Sequence, residues 1–185
     1  MDKRYVLPFF LILVCGVCTC KKISSKKDLE VISTLELEVD SIRHLGAKDL
    51  AKGKERLMAL GEAYQAFADL YPEAPETPGF LFKAGELYSN DLQDYPKAIE
   101  LFKRDYEKYP SHETAANSLF FIAYHYNNSL QDLENAERYY KEFLEQYPDH
   151  KMASSARFEL NSLGMTAEQL IEKLTGSDSS STAIK

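Results

Sequence analysis

Beyond residue 20 the chain has no cysteine: its three thiols, Cys15, Cys18 and Cys20, all lie within the first twenty of 185 residues. The remainder therefore carries no disulfide, thiolate metal site or cysteine nucleophile, and must fold on packing alone. Tryptophan is absent and glycine is scarce, with 8 residues, which excludes a collagenous or low-complexity chain. Positive charge is in deficit. The 22 Lys and Arg stand against 29 Asp and Glu, for a net charge of -7, which disfavours broad phosphate contact, so no nucleic-acid partner is expected. None of the four histidines, His44, His112, His125 and His150, falls in a His-Glu-x-x-His or similar ligand spacing, and Gly-rich phosphate loops and serine-nucleophile motifs are missing too. Carboxylates are spread over solvated helix faces, as from Glu134 to Glu145, so no acid/base pair stands out. The expectation is a protein that is not an enzyme, with no cofactor, no metal and no small-molecule substrate.

What is present is 44% hydrophobic and 28% charged residues, enough to bury the core of one domain with tails. The 12 Tyr and 10 Phe fall in stretches that also carry Glu and Lys, a mixture that suggests amphipathic helices. At the N-terminus, Lys3 and Arg4 precede an apolar run from Tyr5 to Thr19, and Lys21 and Lys22 follow. This run of about 15 residues falls short of the roughly 20 needed to span a bilayer, so it reads as a secretory signal peptide. Its end resembles a bacterial lipoprotein signal. Cys20 has Val17 at -3 and Thr19 at -1, whereas Cys15 and Cys18 follow Val14 and Val17 directly. Cys20 is thus the expected lipid-attachment residue. Thr19 departs from the preferred Gly, Ala or Ser, which keeps open the reading of Cys20 as an ordinary thiol. The organisation expected is a signal peptide over 1–19, a flexible tether over 20–27 whose lysines can touch anionic head groups, a folded domain over 28–174 and a disordered polar tail over 175–185.

Within the folded window the chain repeats itself. Tyr71-Pro72, Tyr109-Pro110 and Tyr147-Pro148 recur at intervals of 38 and 38. The same shift aligns Leu81 with Leu119, Phe82 with Phe120 and Phe158, Tyr88 with Tyr126, Ala98 with Ala136, and His112 with His150. Each unit reads as two helices. In the second unit these run from about Gly79 to Asn90 and from Pro96 to Tyr109, with Asn90 to Asp94 as the turn. The third repeats this from Thr114 to Asn128 and from Leu133 to Tyr147. A fourth begins at Met152 and closes with a helix capped by Thr166. Lys54 to Tyr71 is the second helix of a first unit, and Pro72 to Pro78 is a stiff connector. Asp28 to Leu45 gives mixed signals. Leu35 to Val39 alternates like a strand, but Leu29, Ile32, Leu35, Val39 and Ile42 keep helical spacing and a lone strand would lack a partner, so helix is expected. His112 and His150, just after the helix-ending proline, read as turn residues.

These residues resemble the tetratricopeptide repeat. Unit two matches its pattern with Leu81, Ala84, Gly85, Tyr88, Ala98, Phe102 and Pro110, and unit three with Leu119, Ile122, Ala123, Tyr126, Ala136, Tyr140 and Pro148. The period of 38 exceeds the family norm of about 34, the usual Trp is Leu, and Asp105 or Phe143 stands where the second helix has a small residue. The longer period and the Tyr-Pro-x-His endings are similar to the envelope branch, typified by the outer-membrane assembly lipoprotein BamD and the repeat domain of the Tol-Pal coordinator CpoB. The resemblance implies an all-α solenoid of about three to four helix pairs. It also implies a scaffold, lipid-anchored in the envelope of a Gram-negative bacterium and facing the periplasm from the outer membrane, that binds envelope proteins in a concave groove.

Stacked helix pairs curve so that first helices line that groove. With Leu81, Ala84, Gly85 and Tyr88 facing the paired helix, Phe82, Glu86 and Ser89 lie about 100° round the axis on the groove side. Their counterparts are Phe120, Tyr124 and Asn127, then Phe158. The candidate partner-binding set is therefore Phe82, Glu86, Phe120, Tyr124, Asn127 and Phe158, suited to an extended or helical segment. The same rings could instead fill the space between repeats. The alternative function is a lipoprotein that self-associates or braces a complex without a peptide groove.

Overall fold

The computed structural model describes residues 12–45 and 50–178, and these fold into eight helices with no strand among them. They are α1 (Ile12–Leu45), α2 (Leu50–Leu70), α3 (Thr77–Asn90), α4 (Tyr95–Lys108), α5 (Ala115–Asn128), α6 (Leu133–Gln146), α7 (Ala153–Ser162) and α8 (Ala167–Asp178). The chain is an all-α solenoid of helix pairs, each helix packing chiefly on its neighbours in the chain from α1 through α7.

The repeat is reproduced down to its turns. Asp94 and Asp132 cap α4 and α6, each accepting from the backbone N–H three residues on, Lys97 and Asn135, at 3.1 Å. Gln93 and Gln131 before them share a φ of 55°, the left-handed step that lets the chain double back. The turn after each second helix is also one structure in three copies. Its amide ladder runs from His112 to Tyr109 and Ala115 to His112, and again from His150 to Tyr147 and Ala153 to His150. It also runs from Ala74 to Tyr71 and Thr77 to Ala74, so the proline-rich connector at 72–78 is the same turn. His112 and His150 use Nδ1 to receive the amide two residues on, Thr114 and Met152, at 3.3 Å each. Thr166 and Gln169 form a reciprocal capping box, with Thr166 N–H donating to Gln169 Oε1 at 2.9 Å and Gln169 N–H to Thr166 Oγ1 at 3.3 Å.

Burial follows the helical spacing. On α1, Ile32 and Val39 are buried and Leu29 and Leu35 pack against the same core, joined there by Leu60, Tyr64, Phe67 and Leu81. Leu35 to Val39 is therefore helix. Ala98, Ile99, Phe102 and Ile122 join the second and third units, and Leu119, Phe120, Tyr140 and Phe143 fill the third. Gly85 is required where it stands: a Cβ there would lie 2.6–2.8 Å from three atoms of the Phe102 ring.

Three boundaries differ from expectation. Helix α2 starts at Leu50, four residues before the expected Lys54. Residues 20–27, expected as an irregular tether, are helical and continuous with α1, because no Gly or Pro interrupts Cys20 to Leu45 and the lysines and leucines there favour helix. At the other end α8 continues to Asp178, past the expected domain limit at 174. Most of the expected signal peptide, residues 1–11, and the tail from 179 lie outside the described residues. Among the described residues no helix is long and apolar enough to cross a membrane.

Candidate protein-binding groove

Side chains tie the first helices to one another along one side of the solenoid. Between α1 and α3, Lys83 Nζ reaches Glu36 Oε1 at 2.7 Å, and Arg43 holds both carboxylate oxygens of Asp91, at 3.2 and 2.6 Å. Between α3 and α5 the Phe82 and Phe121 rings meet at 6.1 Å. From α5 to α7, Asn127 Nδ2 donates to Glu159 Oε2 at 3.0 Å. The second helices are bridged separately, by Arg104 with Asp69 at 2.6 Å and by Tyr106 Oη donating to Glu142.

A cleft of about 590 Å³ opens between α1 and α3 over α2. Val39, Leu60, Tyr64 and Leu87 line its base, and Glu36, Asp40, Arg43, Lys83, Glu86 and Asp91 its walls. Tyr64 donates to Glu36 Oε1 at 2.6 Å while stacked on Phe80 at 5.0 Å, and burial, reinforced by the Glu36 carboxylate, pushes its phenol far up. Burial pushes Glu36 up as well, but hydrogen bonds from Lys83 and Tyr64 outweigh it and hold this carboxyl below its ordinary range. Glu86 behaves oppositely. Partial burial raises its pKa against the pull of Arg43 and Lys83, and its carboxylate takes no hydrogen bond among the described residues.

The six expected groove residues do not form one surface. Glu86 lines the cleft. Tyr124, one repeat on, is 38% exposed on α5, and Asn127 is half-buried against Glu159. Phe82 is half-buried between the Phe102 and Phe121 rings, at 5.6 and 6.1 Å. Phe120 corrects the expectation: it is 6% exposed, packed edge-on to Tyr140 at 5.9 Å and Phe143 at 5.7 Å. Its ring turns toward α6, within its own unit, so it belongs to the core. Phe158 is 47% exposed, and α7 stops after ten residues, at Ser162. The apolar stripe of three rings is thus a core position that becomes exposed only in the last unit.

Glu36, Asp40, Arg43, Lys83 and Asp91 were not among the expected site residues. Their contacts span 47 and 48 residues, and α1 lacks the repeat motif that would have assigned its faces. The charge on Lys83 and Asp91, next to the groove positions of α3, was the available signal.

A family model described as tetratricopeptide repeat matches residues 80–112 and again 119–150, the helix pairs α3–α4 and α5–α6. With the all-α solenoid these matches support a tetratricopeptide-repeat protein, and repeats of this kind suggest a protein–protein interaction scaffold. A comparison with curated proteins gave no match.

Proposed function

We propose that this protein is a lipid-anchored scaffold of the bacterial envelope that binds protein partners along its first helices. The observation that carries the binding part is the side of the solenoid made by the first helices, with a cleft at Glu86 between α1 and α3 and, at the equivalent position one repeat on, the exposed Tyr124 of α5 with Asn128 one turn further along that helix. The anchoring part rests on the sequence, with Lys3 and Arg4 before an apolar run that ends at Cys20. Outer-membrane attachment on the periplasmic side follows by analogy, since Lys21 replaces the acidic residue that retains lipoproteins in the inner membrane. A role in outer-membrane protein assembly or envelope coordination accords with the long period and the Tyr-Pro-x-His turns. Intact mass of the protein from membranes tests the anchor: a diacylglyceryl and acyl adduct on an N-terminal Cys20 supports it, and a mature N-terminus elsewhere contradicts it. Cys20→Ser should then move the protein out of the outer-membrane fraction.

A second reading, self-association, is favoured by the apolar side chains left open in the last unit, Phe158, Met165 and Ile171 at 47%, 38% and 61% exposed. Sedimentation of the purified chain across a concentration series separates the two, since self-association would raise the mass with concentration.

A further inference from the structure

We infer that the cleft between α1 and α3 is a socket for one long cationic side chain, a lysine or arginine carried by a partner segment. This deepens the scaffold reading and rests on it. The cleft's own charges choose the sign. Its walls carry four carboxylates, Glu36, Asp40, Glu86 and Asp91, against two cations, Arg43 and Lys83. Both cations are engaged: Lys83 by Glu36 at 2.7 Å, and Arg43 by both oxygens of Asp91. An entering anion would have to break one of these pairs. An entering cation breaks nothing. Among the described residues Asp40 is held by Arg43 alone, at 3.6 Å, and is itself 61% exposed, and Glu86 has no hydrogen-bond partner.

Glu86 gives the site its driving force. A carboxylate drawn partly out of water without a hydrogen bond is held at a cost that Arg43 and Lys83 offset only in part, which agrees with its raised pKa, and a cation set beside it reduces that cost. Shape agrees with charge. The base is the apolar set Val39, Leu60, Leu87 and the Tyr64 ring, a surface on which the methylene stem of lysine or arginine can lie while its head reaches the carboxylates. At about 590 Å³ the space exceeds one side chain, leaving room for part of the backbone that carries it.

The test is an NMR titration of the full chain, in detergent micelles, with acetyl-Ala-Arg-Ala-amide, the same peptide with lysine, and the same peptide with citrulline, the neutral isostere of arginine. The expected result is a shift of the Asp40, Glu86 and Asn90 amides with arginine and lysine, at least about tenfold weaker binding of citrulline, and weakening with added salt. Glu86→Gln should remove the preference for arginine over citrulline while leaving the melting temperature unchanged or raised, since its carboxylate has no bond to lose. Asp40→Asn should weaken it in part. Equal binding of arginine and citrulline, shifts confined to other faces, no shift with any peptide, or full arginine preference in Glu86→Gln would each overturn the socket. Whether the groove captures a partner protein at all is decided separately, by crosslinking at position 124, so the two claims can fail independently.

Discussion

Ser118 donates its hydroxyl to Asp105 Oδ2 at 2.6 Å across the junction of the second and third units, and neither residue has any exposed surface. The same repeat positions hold Phe67 and Phe80 one junction earlier, in edge contact at 5.1 Å, and the buried Phe143 and Ala156 one junction later. At these two positions only the middle junction is polar. Among the described residues Asp105 Oδ1 has no hydrogen-bond partner, and burial pushes this carboxyl up despite the hydrogen bond from Ser118 and the lowering influence of the nearby Thr114 and His112.

The first prediction follows from that pair. Because the folded pKa of Asp105 is raised, the fold binds this proton more tightly than the unfolded chain does. Its contribution is therefore most favourable below the ordinary Asp range and is lost as pH rises through the raised value. The double substitution Asp105→Phe with Ser118→Ala copies the pair found one repeat on. At pH 7 it should be more stable than wild type by about 1–3 kcal/mol, with the gain shrinking toward pH 4. Urea unfolding at several pH values reads this, and parallel stability curves would contradict it. Ser118→Ala alone should cost about 1–3 kcal/mol at pH 7.

Two glycines of α3 should respond with opposite signs. At Gly85 the Phe102 ring occupies the space of a Cβ, with ring atoms 2.6–2.8 Å away, whereas nothing lies within 4 Å of one at Gly79. Gly85→Ala should lower stability by about 1–3 kcal/mol through overpacking. Gly79→Ala should raise it by up to about 1 kcal/mol through helix propensity. Thermal melts of both variants check this.

Phe120 and Phe158 share a repeat position but not a fate. Phe120→Ala should cost about 3–5 kcal/mol, as truncation of a buried ring does. Phe158→Ala should stay within about 0.5 kcal/mol. Equal losses would mean that α7 is covered.

Much of this was legible in the chain itself. The 38-residue recurrence of Tyr-Pro placed the helices of the second and third units within about two residues, because the helix-ending proline is a local signal. The groove was less legible. A helical wheel orders side chains about one axis, so it separated Phe120 from Leu119 but could not show that α6 brings Tyr140 and Phe143 against Phe120. Nor could it bring Arg43 to Asp91, since that contact depends on how α1 packs beside α3. Asp105 stood out as a departure from the repeat, but its bond to Ser118 is a tertiary fact.

The central claim is that partners bind along the first helices, and site-specific photo-crosslinking in the native envelope tests it most directly. A photoreactive residue at the exposed Tyr124 of α5, compared with one at the exposed Glu137 of α6, reports on the two faces in the same fold. The account predicts a discrete protein adduct from position 124 and none from position 137. Adducts of equal yield from both, or from 137 alone, would contradict it.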